Sequence, residues 1–211
     1  MLKEKDKLLG IVKKRRARDQ SRKNQIKVIR AKLQKKQESP TSILVTTADK
    51  GFDHSIISYE LAQSFATQGK KTILIDANFQ EPVLHKWFDK SLGLGLINAI
   101  QRGNIQRYII PTSHSNLSFL PFGTMTSHSL ESWQSERLQK TIDYLKSNHD
   151  VVIFESPSYL TYSETQLLAF YSDDIIVVVK QHKDKISRLH QMKNDLKAVE
   201  RSVAGVIYQS N

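Results

Sequence analysis

The sequence predicts an α/β protein: a doubly wound, mostly parallel sheet with helices on both faces. Three observations carry this. Short runs of apolar residues recur between residues 43 and 208, too short for helices and without the polar alternation of a half-exposed strand. Segments with apolar residues at helical spacing separate several of them. Two of the runs end in an acid, Asp76 and Glu155, at the carboxyl ends of strands, where ligands of such sheets bind.

In chain order, residues 1–39 form a basic N-terminal segment. Lys13-Lys14-Arg15-Arg16-Ala17-Arg18 is too charged to bury and is expected to be mobile when unbound. Ile26, Ile29 and Leu33 then recur at helical spacing, with Val28 adjacent, which predicts a short helix over 22–36. Glu38-Ser39-Pro40-Thr41-Ser42 breaks it, and the α/β domain occupies 40–211. Ile43–Thr46 reads as the first strand. A loop leads to a helix over Ile56–Gln68 with Ile57, Leu61, Ala62 and Phe65 on one face, ended by Gly69. Thr72–Asp76 is the second strand and Leu117–Pro121 the third. A helix over Ser135–Ser147 turns Leu138, Ile142 and Leu145 inward, and Val151–Glu155 is the fourth strand. Ile175–Val179 and Gly205–Tyr208 are two more, separated by a helix over about 185–200.

Composition narrows the function classes. There are no cysteines among the 211 residues, so disulfides and thiolate metal sites are excluded. No window of about eighteen apolar residues exists to span a bilayer, and the first residues lack the apolar core of a signal peptide. A cytoplasmic protein is expected. Residues 1–39 hold 15 Lys and Arg against 4 Asp and Glu, so the whole net charge of +11 resides there. Such a segment suits a solvated tail, an anionic membrane surface or an acidic partner. It has no aromatic residue on which bases could stack, which disfavours nucleic acid.

The chemistry should lie where three segments meet at the strand ends: the loop Ala48-Asp49-Lys50-Gly51-Phe52-Asp53-His54-Ser55, Asp76 and Glu155. A loop opening a helix with acids after neighbouring strands is the layout of a nucleoside-triphosphate site. In the P-loop pattern G-x-x-x-x-G-K-[ST], the last Gly lets backbone N–H groups cradle phosphate. The Lys neutralises the terminal phosphates, and the hydroxyl holds Mg²⁺.

The loop, together with Gly69–Asn78, Pro82, His85, Phe88, Gly95–Ile100, Leu120–Gly123, Asp150–Pro157, Asp174–Val179 and Gly205–Ile207, resembles a known family. It is similar to the cytoplasmic domain of the bacterial tyrosine kinases of capsule and exopolysaccharide synthesis (BY-kinases), which are relatives of the MinD/ParA P-loop ATPases. The resemblance covers about residues 22–209 and implies a P-loop NTPase-like fold with ATP and Mg²⁺ as cofactors. It places the nucleotide site at Gly51, Asp53, His54, Ser55 and Gln209. Ser55, Asp76 and Glu155 would be Mg²⁺ ligands, with Asp76 and Glu155 catalytic if the protein is active.

The departures fall on those positions. Asp53 stands for the family's last Gly and His54 for its Lys. Near pH 7 a His is mostly neutral and shorter than Lys, so His54 reads as a solvent-facing loop residue, with Lys50 a candidate replacement cation. Asn78 and Gln80 stand for an Asp and an Arg, and Glu155 for an Asp. Glu164, Gln209 and Ser127-His128-Ser129 also depart from the pattern. Ser55 reads as a helix N-cap in any case. The family's self-assembly motif is Asn24-x-x-Lys27-x-x-Arg30 here, and no terminal tyrosine cluster precedes Asn211.

The reading is a degenerate BY-kinase-like regulatory or adaptor-binding pseudokinase with weak or no ATP binding. Its partner would be the cytoplasmic tail of a transmembrane polysaccharide co-polymerase or an active kinase paralogue. Residues 1–39 would contact the inner face of the plasma membrane, and residues 24–30 a second copy of the chain. The alternatives are an active ATP-dependent protein-tyrosine kinase and, less favoured, a MinD/ParA-like positioning ATPase.

Overall fold

The structure, a computed structural model, describes the chain except residues 1, 37–39, 51–53, 91–92, 126–132, 134–135, 182–183 and 210–211; side chains are not described for 2–15 and 36. Seven strands form one sheet: β1 (Thr41–Thr46), β2 (Thr72–Asp76), β3 (Ile110–Pro111), β4 (Leu117–Leu120), β5 (Val151–Glu155), β6 (Asp174–Lys180) and β7 (Val203–Gln209). Their order is β3-β4-β2-β5-β1-β6-β7, parallel throughout except the short antiparallel β3 at one edge. Every residue of β1, β2 and β5 is buried, as their apolar runs require of central strands covered on both faces. The strand β3 has no counterpart in the sequence reading. Its two residues are too few to leave a periodic signal.

Helices α1 (Leu2–Lys36) and α2 (Ser55–Ala66) cover one face. On the other lie α4 (Leu96–Arg102), α5 (Glu136–Asn148), α6 (Ser163–Tyr171) and α7 (Ile186–Ala198). The short α3 (Leu84–Trp87) and a 3-10 turn (Ile105–Tyr108) complete the fold. The expected inward faces of α2 and α5 are buried: Ile57, Leu61, Ala62 and Phe65 are at most 1% exposed, and so are Leu138, Ile142 and Leu145.

The N-terminal segment corrects the sequence reading. The helix is not confined to 22–36 but is continuous over Leu2–Lys36 and includes the charged run 13–18. Lys and Arg are good helix formers and no Pro or Gly breaks the run after Gly10. The second half of α1 also belongs to the core, since Ile26, Ile29 and Leu33 pack among Ile43, Val45, Ile176 and Ile207. Arg22 fixes α1 to α2 by donating from Nε (2.8 Å) and Nη2 (2.7 Å) to the two carboxylate oxygens of Glu60.

Candidate nucleotide site

The parallel register pairs Asp76 with Glu155 at the carboxyl ends of β2 and β5, and Glu155 with Val45 of β1. Equivalent positions on adjacent strands present side chains to the same face, so the two acids are neighbours by construction. Both are fully buried. The start of α2, following β1, brings His54 and Ser55 to the same place.

Glu155 Oε1 is the hub. It lies 3.3 Å from His54 Nε2 and accepts from Ser55 Oγ (3.3 Å) and Asn78 Nδ2 (3.3 Å). His54 Nε2 is also 2.9 Å from the Ser156 carbonyl. A carbonyl can only accept, so Nε2 carries the proton. The expectation of a solvent-facing His54 is therefore wrong: it is only 4% exposed. Burial follows from the two oxygens offered by Glu155 of β5 and by Ser156 immediately after it. Ser55 is likewise not the N-cap. His54 holds that position, without a side-chain cap, and Ser55 is the first helical residue, which frees its hydroxyl for Glu155.

Asp76 caps the following loop, accepting from the Asn78 N–H at Oδ1 (3.1 Å) and the Leu84 N–H at Oδ2 (3.3 Å). Burial, and next the negative charge of Glu155, push its pKa well above the usual carboxylate range; the two N–H donors only partly oppose this. Asn78 links both acids, donating its backbone N–H to Asp76 and Nδ2 to Glu155, while its Oδ1 accepts from the Glu81 N–H.

The other expected residues are dispersed. Gly51 and Asp53 lie outside the described residues, as do Ser127, His128 and Ser129. Gln209 ends the edge strand β7, two strands from β1 and paired with Lys180 of β6. Lys50 rests over the Tyr162 ring, 4.7 Å from its centroid, rather than on the acids. Gln80 is exposed. His85 is buried in α3, and its pKa is lowered first by burial and then by Lys86, which suits a packing residue. A contact missed from sequence is the fork of Arg188 on α7, which donates from Nε and Nη2, both at 2.7 Å, to the Asp49 carboxylate. No local signal reveals it, because 139 positions separate the pair.

The residues expected to hold Mg²⁺ are engaged with one another and with backbone N–H groups in this structure. A hard cation needs ionised or carbonyl oxygens free to turn toward it. Here Glu155 Oε1 is shared among three side chains, and Asp76 spends both oxygens on backbone N–H groups. His54, where the resemblance places a permanent cation, presents an imidazole turned inward.

A family model described as an AAA domain matches residues 41–207. Tyrosine-protein kinase YwqD of Bacillus subtilis is 25% identical over 167 residues, covering 79% of this chain and 70% of that protein. Tyrosine-protein kinase CpsD of Streptococcus agalactiae is 24% identical over 182 residues, covering 85% and 79%. EpsB of Ralstonia solanacearum is 25% identical over 80% of this chain, which spans only 22% of EpsB's length. Among solved structures, the VpsO kinase domain superposes with a TM-score of 0.84 at 21% identity, covering 95% of this chain and 98% of that one. The septum site-determining protein MinD of Pyrococcus horikoshii, complexed with Mg-ADP, gives 0.65 at 18% identity, covering 79% and 69%. At these identities the structural likenesses establish the fold alone.

Proposed function

We propose, from the premise that this chain belongs to the AAA domain family and has tyrosine-protein kinases among its relatives, that it is a regulatory pseudokinase of capsular or exopolysaccharide synthesis. It acts by binding a partner and makes little or no use of ATP. One observation carries this reading: His54, standing where the resemblance places the phosphate-binding Lys, is buried 3.3 Å from Glu155 and 2.9 Å from the Ser156 carbonyl. The sequence adds a carboxylate at Asp53, beside which a phosphate would be repelled by on the order of several kcal/mol in a partly buried site.

The partner on this reading is the cytoplasmic tail of a transmembrane polysaccharide co-polymerase or an active kinase paralogue. No helix among the described residues is long and apolar enough to cross a membrane. On this reading, attachment to the inner face of the plasma membrane is peripheral, through the cations of residues 1–39, each worth about 1 kcal/mol near an anionic surface. Residues 24–30 on α1 are the candidate contact between copies of the chain.

The test is binding of the native chain to such a tail with and without Mg-ATP, followed by a search for phosphotyrosine on either component. Equal binding in both conditions and no phosphotyrosine are expected. Binding that requires Mg-ATP, or phosphotyrosine that disappears in Asp76→Ala, replaces this reading with the active kinase. The gathering of Ser55, Asp76 and Glu155 at one strand end is the observation in that reading's favour.

A further inference from the structure

The sheet face under α7 is incompletely covered at its β7 edge. α7 buries only Met192 and Leu196, while Ile186 at its start is 73% exposed and Val206 on β7 is 53% exposed. A cavity of about 430 Å³ opens between this helix and the edge strands. That lies within the roughly 300–1,000 Å³ of small-molecule sites.

The lining is sorted by chemistry. Val177 and Val179 of β6, with Val203 and Val206 of β7, give an aliphatic floor, and Leu189 and Met192 give the wall. Lys193, Lys197 and Arg201 stand among the remaining lining residues, which include no acid. Arg201 is held in place, donating from Nε to the Phe170 carbonyl (2.9 Å) with its guanidinium 5.6 Å above the Phe170 ring. Lys193 and Lys197 are exposed and one helical turn apart. Their like charges repel at that spacing, and an anion between them relieves the repulsion.

We propose that this cleft binds a single-chain anionic amphiphile, a long-chain carboxylate. Its alkyl chain lies on the valine floor and its carboxylate reaches Lys193 and Lys197. The site is separate from the Glu155 cluster, and its occupancy does not depend on whether the chain binds ATP.

Dodecanoate, titrated into the full chain below its micelle-forming concentration, is the probe. Saturable one-to-one binding is expected by calorimetry. Dodecanol, and dodecanoate with the Lys193→Glu/Lys197→Glu variant, should each bind roughly tenfold more weakly. Val206→Trp, a change at an exposed position, should obstruct the floor and weaken dodecanoate by a similar factor; Lys193→Gln/Lys197→Gln serves if charge reversal disturbs folding. The proposal is overturned by absence of saturable binding, by dodecanol binding as tightly as dodecanoate, or by affinity unchanged in both the floor and rim variants. Binding to anionic phospholipid vesicles that dodecanoate does not compete for, without binding of dodecanoate itself, also overturns it in favour of a membrane-surface contact.

Discussion

Asp76 is enclosed by two backbone N–H donors and by Glu155, and its protonation links the site to the stability of the fold. Its pKa in the folded chain is raised above the ordinary 3.8, so the native state keeps a proton that the unfolded chain releases. Stability from this group is therefore complete below the unfolded value and is lost as pH rises toward the folded value, by about 1.4 kcal/mol per pH unit between the two. Asp76→Asn removes that dependence. In urea unfolding, its stability relative to the native chain should climb as pH rises from acid to neutral; a pH-independent difference contradicts the assignment. At this scale the sequence located Ser55, Asp76 and Glu155, because strand-end acids and a loop leading into a helix are local patterns. It misjudged His54, whose orientation is set by Ser156 and Glu155 about a hundred residues away. The Asp49–Arg188 fork was out of reach for the same reason.

The helix α1 illustrates the same division among elements. The Ile26, Ile29 and Leu33 spacing was legible and marks the face that packs on β7 and α2. The extension to Leu2 was not, because a run of charges gives no apolar period even where every residue tolerates a helix. Docking rests partly on the forked Arg22–Glu60 pair, both side chains less than a fifth exposed. Arg22→Ala should cost about 1.5–3 kcal/mol, as expected for loss of charge-assisted hydrogen bonds, read as a lower urea midpoint at unchanged slope. Close approach rests on Gly205: a methyl added there would meet Ile29 Cδ1 at 3.0 Å. Gly205→Ala should lower Tm, consistent with about 1–3 kcal/mol of overpacking; an unchanged Tm means that α1 moves away without cost.

For the molecule as a whole, the segment that carries all the net charge also supplies part of the core. Burying Ile26, Ile29 and Leu33 contributes about 5–8 kcal/mol together, comparable with the total stability of many domains. If residues 1–39 contact the membrane as proposed, the full chain should co-sediment with anionic vesicles in a salt-sensitive way, and removing residues 1–21 should weaken that while leaving the chain folded. Removing residues 1–39 should abolish cooperative unfolding. The mostly parallel sheet and its two-sided core were legible from apolar runs alternating with amphipathic helices; the order of its strands was not. The conformation of the site was not legible either, since it depends on the distant Glu155 and Ser156 that His54 meets. Titration of Mg-ATP into the native chain and into Asp53→Gly/His54→Lys, followed by calorimetry, separates a pseudokinase from an ATP-dependent kinase. No micromolar binding by the native chain is expected, with a gain of at least tenfold, about 1.4 kcal/mol, in the double variant. Micromolar binding by the native chain, undiminished relative to the variant, would contradict the pseudokinase reading.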